Sequence, residues 1–106
     1  MNNLDKRTYY NILFSYYSNL FTEHQQNMFK SYYEYDYSLQ EIADEENITR
    51  SAVGDALNKV CKKLEEYEEL LHLYADDKKL KESLELLKHH TDKEGLKIIE
   101  KLEGKE

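Results

Sequence analysis

The chain has 106 residues, which suits one domain with a single hydrophobic core. It contains no proline, three glycines and one cysteine, which excludes a turn-rich β-sandwich or barrel, an internal disulfide framework and a cysteine-based zinc site. Its formal net charge of −7 excludes a protein that coats nucleic acid non-specifically, because such proteins are basic overall. The composition predicts an all-α protein, and the lack of a long apolar run or a signal-peptide pattern predicts a cytoplasmic one.

Apolar side chains at helical spacing predict the first helix, from about Asp5 to Leu20. Thr22 and Gln25 form a capping box, in which the threonine hydroxyl accepts a hydrogen bond from the amide of Gln25. A second helix is therefore expected from this box to about Glu34.

A third, short helix is expected from Leu39 to about Glu46, because Ser38 and Glu41 form a second capping box. Asn47 suits a left-handed C-cap, since asparagine tolerates a positive φ, and Thr49 suits the N-cap of the next helix. A short helix, a short turn and a long helix together predict a helix-turn-helix.

The apolar side chains of this motif have sizes that suit its expected packing. Ala43 is small where the two helices would cross closely. Ile42 and Ile48 are expected to fill the angle between the helices, and Val53 and Leu57 are expected to fix the second helix to the core.

Polar side chains on the second helix are the candidate nucleic-acid contacts, because its first turns enter the major groove in proteins of this kind. Arg50 is the best candidate for a guanine edge or a phosphate. Residues 49–63 have a local charge of +3, which also suits a solvated helix face, and the same tri-helical unit can dock RNA or protein. The predicted contact residues are Thr49, Arg50, Ser51, Asp55, Asn58, Lys59, Lys62 and Lys63.

A heptad stripe extends beyond the part of the long helix that the tri-helical unit needs. It predicts a helix from Arg50 to about Leu73 that packs on the chain's own C-terminal helices or pairs in a homodimer. Further breaks are expected at residues 75–77 and 89–92, before a last short helix that frays at Gly104. We therefore expect a helix-turn-helix domain at residues 1–75 and a C-terminal helical extension at residues 76–106. The stripe consists of Val53, Leu57, Val60, Leu64, Tyr67, Leu71 and Tyr74.

Nothing in the sequence predicts catalysis, a metal or another cofactor. His89 and His90 are adjacent, so on a helix they point about 100° apart and do not readily share a metal. Cys61 suits a small core position. Eight of the ten tyrosines precede residue 38 and could stack nucleic-acid bases, but their helical spacing also suits core and rim packing. The acidic run at residues 65–69 suits a solvated helix face or a surface for a basic partner.

Four segments resemble the YlxM family, small bacterial helix-turn-helix proteins related to region 4 of sigma factors and associated with the signal recognition particle. Residues 20–25, LFTEHQ, resemble the family's LLTPKQ, and residues 32–43, YYEYDYSLQEIA, resemble its YY and DFSLxEIA blocks. Residues 49–55, TRSAVGD, are similar to its SRQAVxD, and residues 64–68, LEEYE, to its LExYE.

The resemblance implies a non-enzymatic accessory or regulatory protein of the signal-recognition-particle pathway, with the particle's RNA, its GTPases or both as partners. A sequence-specific DNA-binding transcription regulator is the alternative, and an interaction module that acts through the heptad stripe is a third hypothesis. Gly54 stands where the family often has a bulky residue. It weakens the helix by about 1 kcal/mol relative to alanine and removes a side chain from the expected reading face.

Overall fold

The computed structural model describes residues 5–104, which form six α-helices and one short 3-10 turn and contain no strand. The predicted all-α class is confirmed. The helices are α1 (Lys6–Tyr17), α2 (Glu23–Tyr33), α3 (Leu39–Glu46), α4 (Arg50–Leu71), α5 (Leu73–Lys88) and α6 (Lys93–Leu102), and the 3-10 turn is Ser18–Leu20.

Side-chain caps begin the first three helices, at Asp5 and at the two predicted capping boxes. The Asp5 carboxylate accepts a hydrogen bond from the amide of Thr8 at 2.9 Å. Both capping boxes are complete, at Thr22 before α2 and at Ser38 before α3. The first helix ends at Tyr17, three residues earlier than predicted, because the chain tightens into the 3-10 turn there.

Aromatic side chains of α1 and α2 form much of the core against α4. The rings of Phe14 and Phe29 stack with centroids 4.2 Å apart. Tyr17 is 1% exposed, and its hydroxyl donates a 2.6 Å hydrogen bond to the carboxylate of Glu68 on α4. Much of the tyrosine-rich first third of the chain therefore serves packing, with polar ends bonded to α4.

The predicted heptad stripe is largely enclosed in this core. Tyr67 is half-buried, with its ring 5.9 Å from that of Tyr17, whereas Leu71 is half-exposed. Tyr74 lies in the next helix. A homodimer through the whole stripe is therefore wrong, because its first positions are already covered by the chain itself. The buried positions are Val53, Leu57, Val60 and Leu64.

The long helix ends before the turn that the sequence predicts. His72 has φ 56° in the left-handed region, and its amide donates to the carbonyl of Glu68 at 2.9 Å. A new helix starts at Leu73 and runs through residues 75–77, so the turn predicted there is wrong. Acidic residues suit the first turn of a helix as well as a break, because they face the positive end of its dipole.

Contacts between Cα atoms divide the chain into two units, Met1–His72 and Leu73–Glu106. The first contains the helix-turn-helix and its supporting helices. The predicted division into a domain of residues 1–75 and an extension stays a prediction.

The second unit is a hairpin of α5 and α6. Leu84 and Ile99 are its buried apolar side chains, with exposed fractions of 4% and 5%. The break predicted at residues 89–92 is confirmed, and the Asp92 carboxylate caps α6 by accepting from the amide of Gly95 at 2.8 Å. The helix ends at Leu102, just before the predicted fraying point.

Candidate nucleic-acid interface

A compact apolar cluster fixes the angle of the helix-turn-helix. Residues from α2, α3 and α4 meet in it, so α2 supports both helices of the motif. Ile42 and Ala43 are 3% and 1% exposed, which confirms the roles predicted for them at the crossing. The cluster consists of Met28, Ile42, Ala43, Val53 and Leu57.

The turn between α3 and α4 is closed by backbone geometry. Asn47 has φ 61° and ψ 40°, the predicted left-handed C-cap. The amide of Ile48 then donates to the carbonyl of Ala43 at 3.1 Å. The Ile48 side chain is 41% exposed, so the prediction that it fills the angle between the helices is wrong. The Thr49 hydroxyl accepts from the amide of Ala52 at 3.1 Å and caps α4 as predicted.

All eight predicted contact residues are exposed to solvent. At 100° per residue, five of them fall within an arc of about 100° on α4, opposite the buried apolar side chains. We call these five the α4 stripe: Ser51, Asp55, Asn58, Lys59 and Lys62.

The other three predicted residues lie outside the α4 stripe. Arg50 is the first residue of α4 and lies about 100° around the helix from Ser51, away from the stripe. The hydroxyl of Thr49 serves as the N-cap, and the ammonium of Lys63 is 3.6 Å from the carboxylate of Glu66. The α4 stripe alone has a charge of +1, smaller than the +3 of the whole segment.

The first helix of the motif is strongly acidic, a feature that did not enter the predictions from the sequence. Helix α3 carries no basic residue and has a charge of −4. Its last carboxylate, that of Glu46, lies 2.6 Å from Nε2 of His24 on α2. The first helix crosses the nucleic-acid backbone in duplex-bound helix-turn-helix proteins, where these charges would repel phosphates. The acidic residues are Glu41, Asp44, Glu45 and Glu46.

Two clefts flank α4 within the first unit. One, of about 330 Å³, lies between α2 and α4 and is lined in part by His24, Asp55 and Lys59. The other, of about 340 Å³, lies between α1, the end of α2 and α4, with Cys61 also in its lining. We call the second the tyrosine cleft: Lys6, Arg7, Tyr10, Tyr32, Tyr33 and Asn58.

Arg7 is held against the tyrosines of this cleft. Its guanidinium carbon lies 5.3 Å from the ring centre of Tyr32 and 5.5 Å from that of Tyr33, within the range of cation–π contacts. The guanidinium also donates to the carbonyl of Tyr32 and to the carboxylate of Asp36, the latter at 2.6 Å. The cation therefore has a fixed position beside two aromatic rings.

Burial raises the pKa values of two phenols in the tyrosine cleft, those of Tyr10 and Tyr33. It raises the pKa of Tyr10 to about 12, helped by the 2.7 Å hydrogen bond from its hydroxyl to Glu65. Burial also raises the pKa of Tyr33, whose oxygen accepts a hydrogen bond from the Cys61 thiol at 3.3 Å. Both phenols are thus neutral near pH 7 and add no negative charge to the cleft.

Lys6 and Arg7 are not among the contacts predicted from the sequence. The available signal was their position one helical turn before Tyr9 and Tyr10, which places basic and aromatic side chains on one helix. Their proximity to α2 and α4 depends on the packing of three helices.

Within residues 5–104, no group of three or more histidine, cysteine or acidic side chains is arranged to hold a metal ion. Across the same residues, none of the helices combines the length and apolar character needed to span a membrane.

The capped turn, the tri-helical core and the exposed second helix define a helix-turn-helix protein. Over residues 4–103 the chain matches the UPF0122 family, described as "helix-turn-helix protein, YlxM / p13 like". The chain therefore belongs to this family, as the motifs of the sequence predicted.

Relatives of the family align over most of the chain. A UPF0122 protein of Oceanobacillus iheyensis is 43% identical over 100 residues, covering 93% of this chain and 95% of its own length. One from Halalkalibacterium halodurans is 44% identical over 91 residues, 86% of this chain and 84% of its own length. A UPF0122 protein of Lactococcus lactis subsp. cremoris is 47% identical over 73 residues, 69% of this chain, and the match spans 66% of that relative's length, just under two thirds.

Proposed function

We propose that this chain is a non-enzymatic accessory protein of the bacterial signal-recognition-particle pathway, which acts in the cytoplasm and binds the particle's RNA, its GTPases or both. The observation that carries a nucleic-acid role is the exposed α4 stripe on a fully capped helix-turn-helix. The pathway itself rests on the resemblance of the four sequence segments to the YlxM family.

Available cations support contact with phosphates. Among residues 5–104, no carboxylate lies within ion-pair distance of Arg50, Lys59 or Lys62, so these side chains can bind phosphate without first breaking an internal pair. The α4 stripe has a charge of only +1, and the neighbouring helix α3 has a charge of −4. This arrangement favours local contact with a folded RNA over a long footprint along duplex DNA.

A binding comparison at low salt tests the proposal. The full-length protein is titrated with signal-recognition-particle RNA and with a duplex DNA of equal charge, and each of the two GTPases is tested separately. We expect tighter binding to the RNA, and a loss of roughly tenfold in the double variant Lys59→Gln/Lys62→Gln.

The matched control is Lys79→Gln/Lys97→Gln, which removes the same charge from exposed positions on α5 and α6. It should bind the RNA like the wild type. No binding to the RNA or to either GTPase would contradict the proposed function.

A sequence-specific DNA-binding regulator of the sigma region 4-like type is the second candidate, favoured by the exposure of Arg50, Ser51 and Asp55 at the start of α4. Selection from random duplex DNA tests it directly. Enrichment of a defined site that Arg50→Ala abolishes would establish this alternative, and recovery of no enriched site would remove it.

The proposal also includes the two-part organisation predicted from the sequence, with a helix-turn-helix domain at residues 1–75 and an extension at residues 76–106. A homodimer remains in the proposal only through the exposed end of the heptad stripe, at Leu71. Sedimentation at micromolar concentration that shows only a monomer would remove the homodimer.

A further inference from the structure

We propose that the tyrosine cleft binds one unpaired nucleotide of an RNA strand, with its base against the aromatic and guanidinium surfaces and its phosphate at Lys6. This inference rests on the proposed RNA-binding function and names the feature of the RNA that the first unit recognises. It adds to the α4 stripe a site to which α1 and α2 also contribute.

The lining combines the three kinds of group that a single nucleotide needs. Aromatic rings and guanidinium planes stack on unpaired bases, cations bind phosphate, and a carboxamide can bond to a base edge. The cleft has three tyrosines for the first role, Lys6 for the second and Asn58 for the third.

The cations of the cleft have different roles. Arg7 is fixed by Asp36 and by two tyrosine rings, yet its side chain remains 41% exposed, so it offers a positioned stacking surface. Lys6 is exposed and has no ion-pair partner among residues 5–104. Lys6 also lies close enough to Cys61 to oppose, by its charge, the rise in the thiol pKa that burial causes. Its ammonium is therefore near the cleft and available to an anion.

The size of the cleft selects one nucleotide. Its volume of about 340 Å³ is at the lower end of the range for small-molecule sites, which suits one base with its phosphate. Bases in a duplex are stacked on their neighbours and cannot enter without being extruded, whereas bases in loops and bulges are available.

The position of the cleft links it to the predicted interface. Asn58 belongs to both the tyrosine cleft and the α4 stripe, so a strand that contacts Lys62 on the stripe can place a neighbouring base in the cleft. The phenols of Tyr10 and Tyr33 are neutral near pH 7 and do not repel the phosphate.

The test titrates the full-length protein with a short mixed-sequence single-stranded RNA and with a blunt RNA duplex that has the same number of phosphates. We expect tighter binding of the single strand. Tyr10→Leu, which removes the ring, should weaken single-strand binding at least fivefold, the usual lower range for loss of one base stack. Tyr10→Phe keeps the ring and loses only the bond to Glu65, so it should bind the single strand more tightly than Tyr10→Leu does.

The polar contacts are tested with variants that change exposed side chains. Lys6→Gln should weaken single-strand binding several-fold and reduce its salt dependence by about 0.7 in log–log slope, the value for one phosphate contact. Asn58→Ala should weaken single-strand binding and leave its salt dependence unchanged. The matched control, Lys79→Gln on α5, should leave the affinity at the wild-type value.

The outcomes separate the two proposals. Wild-type protein that binds no RNA and neither GTPase contradicts the proposed function, and with it this inference. The cleft site alone is overturned if the wild type binds RNA and three variants bind it as tightly as the Lys79→Gln control. These variants are Lys6→Gln, Asn58→Ala and Tyr10→Leu. Equal affinity of the wild type for the single strand and the duplex would also overturn it. Adenosine monophosphate is titrated as well, to represent a free nucleotide. If it binds more tightly than the single-stranded RNA, the assignment of the site to RNA is overturned.

Discussion

Two tyrosines of α1 bond to glutamates of α4 in different surroundings. Tyr17 and Glu68 are both buried and 2.6 Å apart, whereas the bond between Tyr10 and Glu65 is exposed at 2.7 Å. A hydrogen bond to a buried charged group is worth more, because its loss leaves the charge without compensation from water.

The first prediction compares these two bonds. Tyr17→Phe should lower the free energy of unfolding by about 1.5–3 kcal/mol, and Tyr10→Phe by less than about 1 kcal/mol. Urea denaturation followed by circular dichroism measures both. Equal losses of unfolding free energy in the two variants would contradict the claim that burial makes the Tyr17 bond the stronger one.

Gly54 has no packing role in the structure. A Cβ added there would meet no atom within 4 Å. Its presence in the second turn of α4 therefore costs helix stability without a steric reason, and it leaves the helix surface beside the α4 stripe open.

The second prediction is that Gly54→Ala raises the free energy of unfolding by about 0.5–1 kcal/mol, since alanine has the higher helix propensity and enough space. Denaturant unfolding of the variant beside the wild type measures it. A destabilised variant would show that Gly54 serves a close contact.

At the scale of elements, the ends of α3 and α4 both depend on a left-handed residue, Asn47 or His72. Glycine adopts this conformation without strain, but it weakens the interior of a helix by about 1 kcal/mol. Substitution by glycine therefore reports directly whether a helix ends at the residue.

The third prediction uses this difference at His72. His72→Gly should stabilise the protein by up to about 1 kcal/mol, because it relieves a left-handed non-glycine residue. If α4 continued to Leu73, as the sequence predicts, the same change would destabilise the protein by about as much. Thermal and urea unfolding distinguish the two results.

The charge of α3 gives the fourth prediction. Asp44→Asn/Glu45→Gln removes two exposed carboxylates and should raise affinity for duplex DNA several-fold at low salt, because repulsion of the phosphates falls. Glu82→Gln/Glu94→Gln on α5 and α6 is the matched control. No difference between the two double variants would show that α3 does not face the bound duplex.

Elements whose signals are local could be predicted from the sequence. Ser38, Asn47 and Thr49 form hydrogen bonds or turns with their own backbone neighbours. The positions of α3, of the turn and of the start of α4 therefore agree with the prediction from the sequence. The end of α4 at His72 has no such signal. The exposure of Ile48 and the assembly of the tyrosine cleft depend on how three helices pack, which the spacing of apolar residues does not determine.

At the scale of the whole molecule, charge is unevenly distributed. The chain has a net charge of −7, yet residues 49–63 carry +3 and α3 carries −4. A protein with this distribution can bind nucleic acid only through a few phosphate contacts, and the remaining surface repels the rest of the strand.

The measurement that tests this account most directly is the salt dependence of binding to signal-recognition-particle RNA. With two or three phosphate contacts, the slope of log affinity against log salt concentration should be about −1.4 to −2.1, or somewhat steeper where the contacted RNA is double-stranded. The magnitude of this slope should decrease by at least half in Lys59→Gln/Lys62→Gln. A slope steeper than about −5, or one that the double variant leaves unchanged, would contradict the claim that the α4 stripe is the RNA-binding surface.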